Sequence, residues 1–306
     1  MRSTDRRVVL ITGCSSGFGR GMVSQFLKQG WIAIATLRKA SERRSIFSDE
    51  MRAYPDRLFV TPLDLTDADE RRNIVEFVQN RFNRLDCLVN NAGYGLFGAL
   101  EDLTEQQIRR QMEVNFFGAA FLTRDLLPLL RKSRGRVIMM STLFGFSSFP
   151  LSSVYCASKF AIEGLAESLY HELKPHGVQV TLVEPAGYRT SFGDNVVWGE
   201  TSFEPTSAFV QQSENYRRFK QTLTSGKGHA SAPVVQAVVR LASAKQMPLR
   251  CRIGAGSHML YLLRKFFPQR LSTALLSAHY DKIFLKPVPE TWRDDGLSAQ
   301  LPTAQD

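Results

Sequence analysis

Cysteines are few in this sequence, and their spacing forms neither a metal site nor a disulfide framework. They stand far apart among 306 residues, with no C-x-x-C pair and no histidine at metal-ligand spacing: Cys14, Cys87, Cys156 and Cys251. Scattered cysteines are typical of free thiols in a reducing compartment. We therefore expect a cytoplasmic protein that binds no metal.

Long apolar segments are missing as well. No uninterrupted apolar run reaches the ~18 residues that a membrane-spanning helix needs, and residues 1–7 are too polar for a signal peptide. With 43% hydrophobic and 22% charged residues, the composition is that of an ordinary globular protein. We expect a soluble chain of one domain with a C-terminal extension.

Basic residues outnumber acidic ones, which gives a formal net charge of +10. A basic surface attracts phosphates non-specifically, so a nucleic-acid partner has to be considered. However, the basic residues are mostly interleaved with acids, and no nucleic-acid-binding motif is recognisable. We expect no nucleic-acid partner.

Short apolar segments alternate with helical patterns over most of the chain. The predicted strands are 8–11, 32–36, 58–63, 86–93, 135–141, 179–184 and 252–254. This alternation predicts an α/β fold, with a doubly wound Rossmann-type parallel sheet in a single domain over residues 1–255.

The first predicted strand ends in a glycine-rich turn, residues 12–21, and a helical pattern follows it. Glycines let the backbone approach a pyrophosphate, and the start of a helix offers unpaired N–H groups and a positive dipole end. At the end of the second strand, where a carboxylate would bind the ribose hydroxyl of NAD, the chain has Leu37, Arg38 and Lys39. Positive charge there favours the 2′-phosphate of NADP(H) over NAD(H).

Tyr155 and Lys159 lie four residues apart in a helical pattern, so both side chains face one site. A neighbouring ammonium group is expected to lower the pKa of a phenol toward the range useful for proton transfer. The same spacing recurs at Tyr261 and Lys265, so the pair alone carries little weight. Its context decides the interpretation.

That context resembles the short-chain dehydrogenase/reductase family over about residues 6–255. The motifs occur in family order: the glycines Gly13, Gly17 and Gly19, the segment 90–93 (N-N-A-G), Asn115, the Tyr155/Lys159 pair, and Pro185 with Thr190. Residues 155–164 look most like the 17β-hydroxysteroid and retinol dehydrogenase branch. The resemblance implies hydride transfer between a nicotinamide and a carbonyl or alcohol carbon.

The resemblance also implies residue roles. Tyr155 would donate or accept the proton, Lys159 would lower the Tyr155 pKa and hold the nicotinamide ribose, and Asn115 would support a proton-relay water. The family usually has a serine thirteen residues before the tyrosine; here that position is Thr142, with Ser141 beside it. Either hydroxyl could contact the substrate oxygen, and the spacing favours Thr142. A second departure is Ala186, where the family usually has glycine.

Cofactor contacts are implied at further positions. The pyrophosphate side would be bound by Gly13, Ser15, Ser16, Phe18 and Gly19. Asp64 and Leu65 would border the adenine, and Asn91, Ala92 and Gly93 the adjoining ribose. The nicotinamide end would be bordered by Pro185, Gly187 and Thr190.

Three further regions carry weaker signals. Residues 190–230 mix aromatic and polar residues without clear periodicity, which suits either a substrate flap or a variable surface insertion. Residues 256–286 predict a basic amphipathic extension of two short helices broken at Pro268, with possible weak membrane-surface contact. The tail 287–306 is predicted to be disordered.

Function and assembly follow from these observations as expectations. The substrate is expected to be an apolar carbonyl or alcohol compound, such as a steroid, a retinoid or another lipid. A non-catalytic NADP-binding sensor or scaffold is the rival interpretation, against which the intact Tyr155 and Lys159 argue. The resemblance implies a homodimer or homotetramer.

Overall fold

Nine strands and eleven helices make up the part of the chain described by the structure, a computed structural model covering residues 6–188, 196–224 and 231–285. The strands are β1 (Val8–Ile11), β2 (Ile32–Leu37), β3 (Leu58–Pro62), β4 (Cys87–Asn90), β5 (Leu96–Phe97), β6 (Arg136–Met140), β7 (Gln179–Pro185), β8 (Val197–Trp198) and β9 (Arg250–Ile253).

Seven of these strands form one parallel sheet in the order β3-β2-β1-β4-β6-β7-β9. The order reverses direction at β1, which is the mark of a doubly wound sheet. The predicted Rossmann-type α/β fold is confirmed. Outside this sheet, β5 and β8 pair with each other.

Helices cover both faces of the sheet. They are α1 (Gly17–Lys28), α2 (Ala40–Arg43), α3 (Ser48–Ala53), α4 (Ala68–Phe82), α5 (Glu105–Met112), α6 (Gly118–Ser133), α7 (Ser153–Leu173), α8 (Val210–Thr224), α9 (Ala232–Ser243), α10 (Ala255–Phe266) and α11 (Gln269–Phe284). On one face α1 and α9 supply apolar side chains to the core, and on the other α4, α6 and α7 do so. Because both faces are covered, the central strands are apolar at nearly every position.

The segment 105–131 has a helical pattern throughout its sequence, but in the structure the α-helix is interrupted. A π-helical turn at Glu113–Phe117 separates α5 from α6 and carries Asn115. Gly118 follows it, and a Cβ atom there would lie 2.6 Å from the Leu65 Cβ, so the chain passes close to the loop after β3. The insertion of a π turn turns the Asn115 side chain inward, where it is buried.

The region from 190 to 230 is more regular than its sequence pattern indicates. Helix α8 occupies Val210–Thr224, with Ser213, Asn215 and Tyr216 buried, whereas residues 189–195 and 225–230 lie outside the described part of the chain. The helix was not predicted because its buried face is largely polar. The predicted break at Pro268 is present between α10 and α11. No described helix combines the length and apolarity needed to cross a membrane.

Candidate active site

The turn after β1 and the loop after β4 lie against each other at the carboxyl ends of their strands. The Thr12 hydroxyl accepts hydrogen bonds from the backbone N–H groups of Asn91 and Ala92, at 2.9 Å each. The Asn91 amide donates to the carbonyl oxygens of Thr12 (2.8 Å) and Gly13 (3.0 Å). These bonds fix two loops that the sequence predicts to bind a cofactor.

Two glycines make this close approach possible. Gly13 has φ +69°, and a Cβ atom there would lie 2.7 Å from the Ala92 Cα. A Cβ on Gly19 would lie 2.2 Å from the Gly13 carbonyl oxygen and 2.7 Å from the Asn91 side-chain nitrogen. Both distances are too short for any side chain, so the turn depends on glycine at these positions.

Helix α1 begins at this turn with its N-terminal end free of side-chain caps. Ser16, at the N-cap position, makes no side-chain hydrogen bond to the helix, and the first turn contains no acidic residue. The unpaired N–H groups and the positive dipole end therefore remain available to an anion. Together with the glycine turn beside it, this arrangement fits the pyrophosphate of a dinucleotide.

Helix α7 carries Tyr155 and Lys159 beneath the end of β6. Lys159 is buried and donates from Nζ to the Met140 carbonyl oxygen at 2.9 Å, and the same Nζ lies 5.9 Å from the centre of the Tyr155 ring. Burial lowers the pKa of Lys159 to about 8, while the negative charge of Glu163 raises it. The structure thus brings the two predicted residues to one site.

The expected lowering of the Tyr155 pKa does not hold in this structure. Burial raises the pKa of Tyr155, the neighbouring Cys156 adds to this, and the hydrogen bond with Thr142 offsets only part of it. Removing the phenol from water penalises the phenolate, and this effect exceeds any benefit from Lys159 here. The Tyr155 phenol is therefore protonated at neutral pH.

The two candidate hydroxyls point to different partners. The Thr142 side chain hydrogen-bonds Tyr155, whereas the Ser141 hydroxyl lies toward Glu163 on the other side. Thr142 has extended backbone geometry, φ −167° and ψ 170°, so it and its neighbour face in opposite directions. Thr142 is the hydroxyl beside Tyr155.

Asn115 lies behind Lys159. Its side-chain nitrogen donates to the Tyr94 carbonyl (3.0 Å) and to the Ser158 hydroxyl (3.1 Å), and its oxygen accepts from the Tyr94 N–H (3.0 Å). A Cβ atom on Gly93 would lie 3.0 Å from the Asn115 oxygen and 3.8 Å from Lys159 Nζ. Asn115 and Gly93 are thus immediate neighbours of the lysine.

The other predicted cofactor residues border the same edge of the sheet. Arg38 is exposed directly after β2, Asp64 is half-buried and Leu65 buried after β3, and Phe18 stands in the first turn of α1. Pro185 ends β7 and is buried, whereas Gly187 is exposed with open space around it. Ser15 lies in the glycine turn, half-buried. Thr190 lies outside the described residues.

Sequence reasoning missed a cluster of aromatic side chains that covers Tyr155 on the side away from the glycine turn. We call it the aromatic cluster; its buried members are Phe97, Tyr155, Tyr216 and Phe284, with Phe144, Phe149 and Trp198 packed against them. Phe97 and Phe144 meet the Tyr155 ring edge-on at 5.9 and 6.0 Å between ring centres. Aromatic residues scattered from 97 to 284 were the only signal in the sequence.

Helices α8 and α11 close this cluster from outside. The Tyr216 ring lies 5.2 Å from Phe97 and 5.4 Å from Phe284, between ring centres. The Asn215 side chain donates to the Phe284 carbonyl oxygen at 2.8 Å, which joins the two helices. The predicted flap and the C-terminal extension therefore meet over the same side of Tyr155.

Comparisons with known proteins agree with this geometry. A family model described as "short chain dehydrogenase" matches residues 7–200. The chain is 31% identical to a 3-ketodihydrosphingosine reductase of Bacteroides thetaiotaomicron, over 90% of this chain and 98% of that protein. It is 33% identical to the bovine 11-beta-hydroxysteroid dehydrogenase type 2, over 98% of this chain and 77% of that protein.

A solved structure shares both sequence and fold with the chain. The crystal structure of a short-chain dehydrogenase from Streptomyces avermitilis superposes with a TM-score of 0.75, at 32% sequence identity. The match covers 91% of this chain and 97% of that one. The similarity thus extends beyond the seven-stranded sheet into the C-terminal helices.

Proposed function

The chain belongs to the short-chain dehydrogenases, oxidoreductases that act on CH–OH groups with a nicotinamide cofactor, and we propose that it interconverts an apolar ketone or aldehyde and its alcohol with NADP(H). The observation that carries this proposal is the position of Tyr155. It lies with Lys159 and Thr142 between a glycine turn suited to a dinucleotide and a wall of aromatic rings.

The proposed reaction uses four side chains of the protein. When bound, the nicotinamide supplies or accepts the hydride. Tyr155 gives its phenolic proton to the forming alkoxide during reduction, and Thr142 donates a hydrogen bond to the same oxygen. Lys159, fixed by the Met140 carbonyl, stabilises the phenolate that remains and holds the ribose hydroxyls. Asn115 fixes the backbone of Tyr94 next to Lys159, which supports a relay of protons from solvent.

The preference for NADP(H) rests on charge at the end of β2. Arg38 is exposed there, and its positive charge acts on Tyr94, as does that of Arg110 from α5. Two guanidinium groups near the adenosine end suit a 2′-phosphate, and no acidic residue directly follows β2 to bind a ribose 2′-hydroxyl.

The aromatic cluster supports an apolar substrate. Phe97, Phe144, Phe149 and Trp198 offer ring surfaces beside Tyr155, and such surfaces gain free energy by covering apolar carbon rather than sugar hydroxyls. The names of the two curated relatives, a sphingosine-type and a steroid-type enzyme, are consistent with that choice.

The test of this function is substitution of the proposed acid. Tyr155→Phe should lower kcat for carbonyl reduction by about 100- to 10,000-fold, because only the proton donor is removed. NADPH binding should stay within about 3-fold of wild type, since the ring remains in place. Unchanged turnover would remove Tyr155 from the mechanism. If wild type itself has no turnover and Tyr155→Phe keeps the full biological activity, the rival NADP-binding scaffold is favoured.

The outer faces of α10 and α11 support the proposed weak contact with a membrane surface. Exposed apolar residues concentrate there, since this short region holds Met259, Leu262, Phe266, Phe267, Leu271, Leu275 and Leu285. Arg264, Lys265 and Arg270 lie exposed among them. Apolar side chains with flanking positive charge suit an anionic bilayer, from which a lipid-like substrate would come.

Liposome sedimentation tests this contact. Phe266→Glu should reduce binding to phosphatidylserine-containing vesicles by at least about 5-fold, because it puts a charge at the interface. Ile46→Glu, at another exposed apolar site outside α10 and α11, should leave binding unchanged. If both variants sediment like wild type, the membrane proposal fails, and dimerisation through these helices becomes the better account.

Assembly, layout and location complete the proposal. Phe117 is exposed and stacks on Phe121 at 5.8 Å on the outside of α6, while Phe160 is exposed on α7. These rings suit an interface between copies of the chain, and sedimentation velocity should give a dimer or tetramer. We assign residues 1–255 to the catalytic domain, 190–230 to a substrate flap and 256–286 to the extension, and the predicted tail 287–306 lies outside the described residues. Free thiols at all four cysteines support a cytoplasmic location.

A further inference from the structure

A buried carboxylate lies one helical turn beyond Lys159 on α7. Glu163 is only 7% exposed, as is Lys159, and residues four apart on a helix lie on the same face. Acidic side chains are seldom buried to this degree without a charged partner. Glu163 therefore needs an explanation that the proposed reaction does not give.

Three structural elements meet around the Glu163 carboxylate. Arg250 on β9 donates from Nε to one carboxylate oxygen at 3.1 Å, and the Ser141 hydroxyl at the end of β6 lies close to the carboxylate. Gly145 passes over both groups; a Cβ atom there would lie 2.4 Å from the Ser141 oxygen and 3.1 Å from Glu163 Oε1. The turn after β6 thus leaves room for this contact only because it has glycine.

The contact belongs to a cluster of charges between β7, β9 and α7. Glu184, fully buried on β7, lies 3.3 Å from Arg250 Nε and 2.9 Å from Arg252 Nε. Glu167, more exposed on α7, pairs with Arg250 at 2.6 Å. Counted together with Lys159 and Glu163, the cluster holds three positive and three negative groups. Lys159 is the member that reaches the site of Tyr155.

We propose that Glu163 is a positioning residue that acts on Lys159 through its charge and keeps it in the ammonium form beside Tyr155. This inference rests on the proposed role of Lys159. The helix fixes the spacing of the two side chains, the Met140 carbonyl holds Nζ on one side, and Glu163 supplies the opposite charge from within the protein. Arg250 in turn holds the Glu163 carboxylate in place.

The charges facing the pair have effects of known sign. Burial lowers the pKa of Lys159 to about 8 and Glu163 raises it, so neutralising Glu163 lowers that pKa further. Burial raises the pKa of Glu163, and the charges of Arg250 and Arg252 offset part of this effect. Burial and the charge of Glu163 raise the pKa of Glu184 to about 7. Tyr155 is the other titratable group on the Lys159 side, and burial raises its pKa.

The experiment is a pH titration of Lys159 itself. Lysine labelled with ¹³C at Cε gives one resonance per residue, and Lys159→Met identifies the relevant one. In wild type, Lys159 should titrate with a pKa of about 8. Glu163→Gln should titrate about one pH unit lower, because an adjacent opposite charge has been removed. Glu163→Asp should recover at least about half of the difference, since its charge remains.

The control and the contradicting outcome use the same cluster. Glu167→Gln removes another carboxylate bound to Arg250 but leaves Glu163 in place, and it should leave the Lys159 titration unchanged. If Glu163→Gln does not fold, Glu163→Ala serves instead, since it removes the same charge with a smaller side chain. A Lys159 titration in Glu163→Gln within about 0.2 units of wild type would overturn the proposal.

Activity gives a second readout. If Lys159 acts as an ammonium ion, kcat/KM is lost as the pH rises through its pKa, and this alkaline limb should move down with the titration in Glu163→Gln. The two readouts distinguish a failure of the Glu163 proposal from a failure of the proposed function of Lys159. A titration that shifts while the pH–rate profile stays fixed keeps the role of Glu163 and removes the proposed function of Lys159. A titration that does not shift removes the role of Glu163 alone.

Discussion

The two sides of Tyr155 are built from different kinds of contacts. On the cofactor side, Thr12, Gly13 and Asn91 join two loops through hydrogen bonds and close backbone approach. On the proposed substrate side, Phe97, Tyr216 and Phe284 join segments far apart in the chain mainly through ring contacts. Hydrogen bonds and backbone contacts demand fixed geometry, whereas apolar rings tolerate changes of shape. We therefore expect the cofactor side to tolerate few substitutions and the proposed substrate side to tolerate more.

Gly19→Ala should break the cofactor side with the largest effect. Its Cβ would overlap the Gly13 carbonyl oxygen at 2.2 Å, so the turn has to move away from Asn91. We expect the Kd for NADPH, measured by fluorescence titration, to rise at least about 100-fold. Gly164→Ala is the matched control, since nothing lies within 4 Å of a Cβ there, and it should bind NADPH normally. Equal affinities in the two variants would contradict the role of the glycine turn.

Lys159 lies at the boundary of the two sides, and Lys159→Met should abolish activity while raising the free energy of unfolding. The folded-state pKa of about 8 lies below the ordinary 10.5, so the unfolded chain binds the proton more tightly and the buried charge costs stability below pH 8. We expect the variant to lose activity but to gain about 2 kcal/mol in free energy of unfolding at pH 7.

The pH dependence of that gain supplies its check. As the pH rises from 8 to above 10, wild-type Lys159 becomes neutral in the folded state, so the advantage of Lys159→Met should shrink toward zero in urea unfolding. A variant less stable than wild type at pH 7 would mean that the Met140 hydrogen bond and the Glu163 charge outweigh the cost of burial.

Arg38→Glu should test the preference for NADPH over NADH without disturbing the structure of the cofactor side. Because Arg38 is exposed, the substitution changes charge and little packing. We expect the ratio of kcat/KM for NADPH to that for NADH to fall about 30-fold, as expected for the loss of a charged hydrogen bond and the gain of repulsion. Arg52→Glu, on exposed α3, should leave the ratio unchanged. An unaltered ratio in Arg38→Glu would place cofactor selection elsewhere.

Phe284→Ala should affect only the substrate side, with the smallest effect. The ring is buried against Tyr216 and Phe149, at 5.4 Å between centres in each case. We expect kcat/KM for a long-chain ketone to fall about 10-fold, while NADPH affinity remains within about 2-fold. Phe266→Ala, 69% exposed on α10, should not change kcat/KM for a soluble ketone. Parallel losses for short and long substrates would show that α11 supports the whole site.

The local geometry of the proposed cofactor side follows from the sequence because its signals are close together in the chain. Strand, glycine turn and helix follow one another within residues 8–28, and the fourfold spacing of Tyr155 and Lys159 needs only a helix to become a site. Strand geometry sends neighbouring side chains to opposite faces, so only one of Ser141 and Thr142 can face Tyr155. The spacing to Tyr155 favours Thr142. Local patterns were sufficient wherever the contact partners were close in the chain or belonged to consecutive strands.

The substrate side could not be predicted in the same way. Phe97, Tyr216 and Phe284 come together only through the packing of α8 and α11. Helix α8 has no clear apolar periodicity, because its buried face includes Ser213 and Asn215. The π turn at Asn115 escaped notice because one inserted residue hardly changes helical periodicity. The pKa of Tyr155 was misjudged since burial depends on this distant aromatic cover.

The most direct test of the account measures kcat/KM with NADPH for a series of ketones that differ only in alkyl chain length. An apolar substrate wall predicts an increase of about 4-fold for each added methylene until the site is filled, as expected from about 0.8 kcal/mol per buried group. It also predicts no comparable rate with polar sugars. A rate independent of chain length, or a preference for polar carbonyls, would contradict the proposed division between a dinucleotide side and an apolar side around Tyr155.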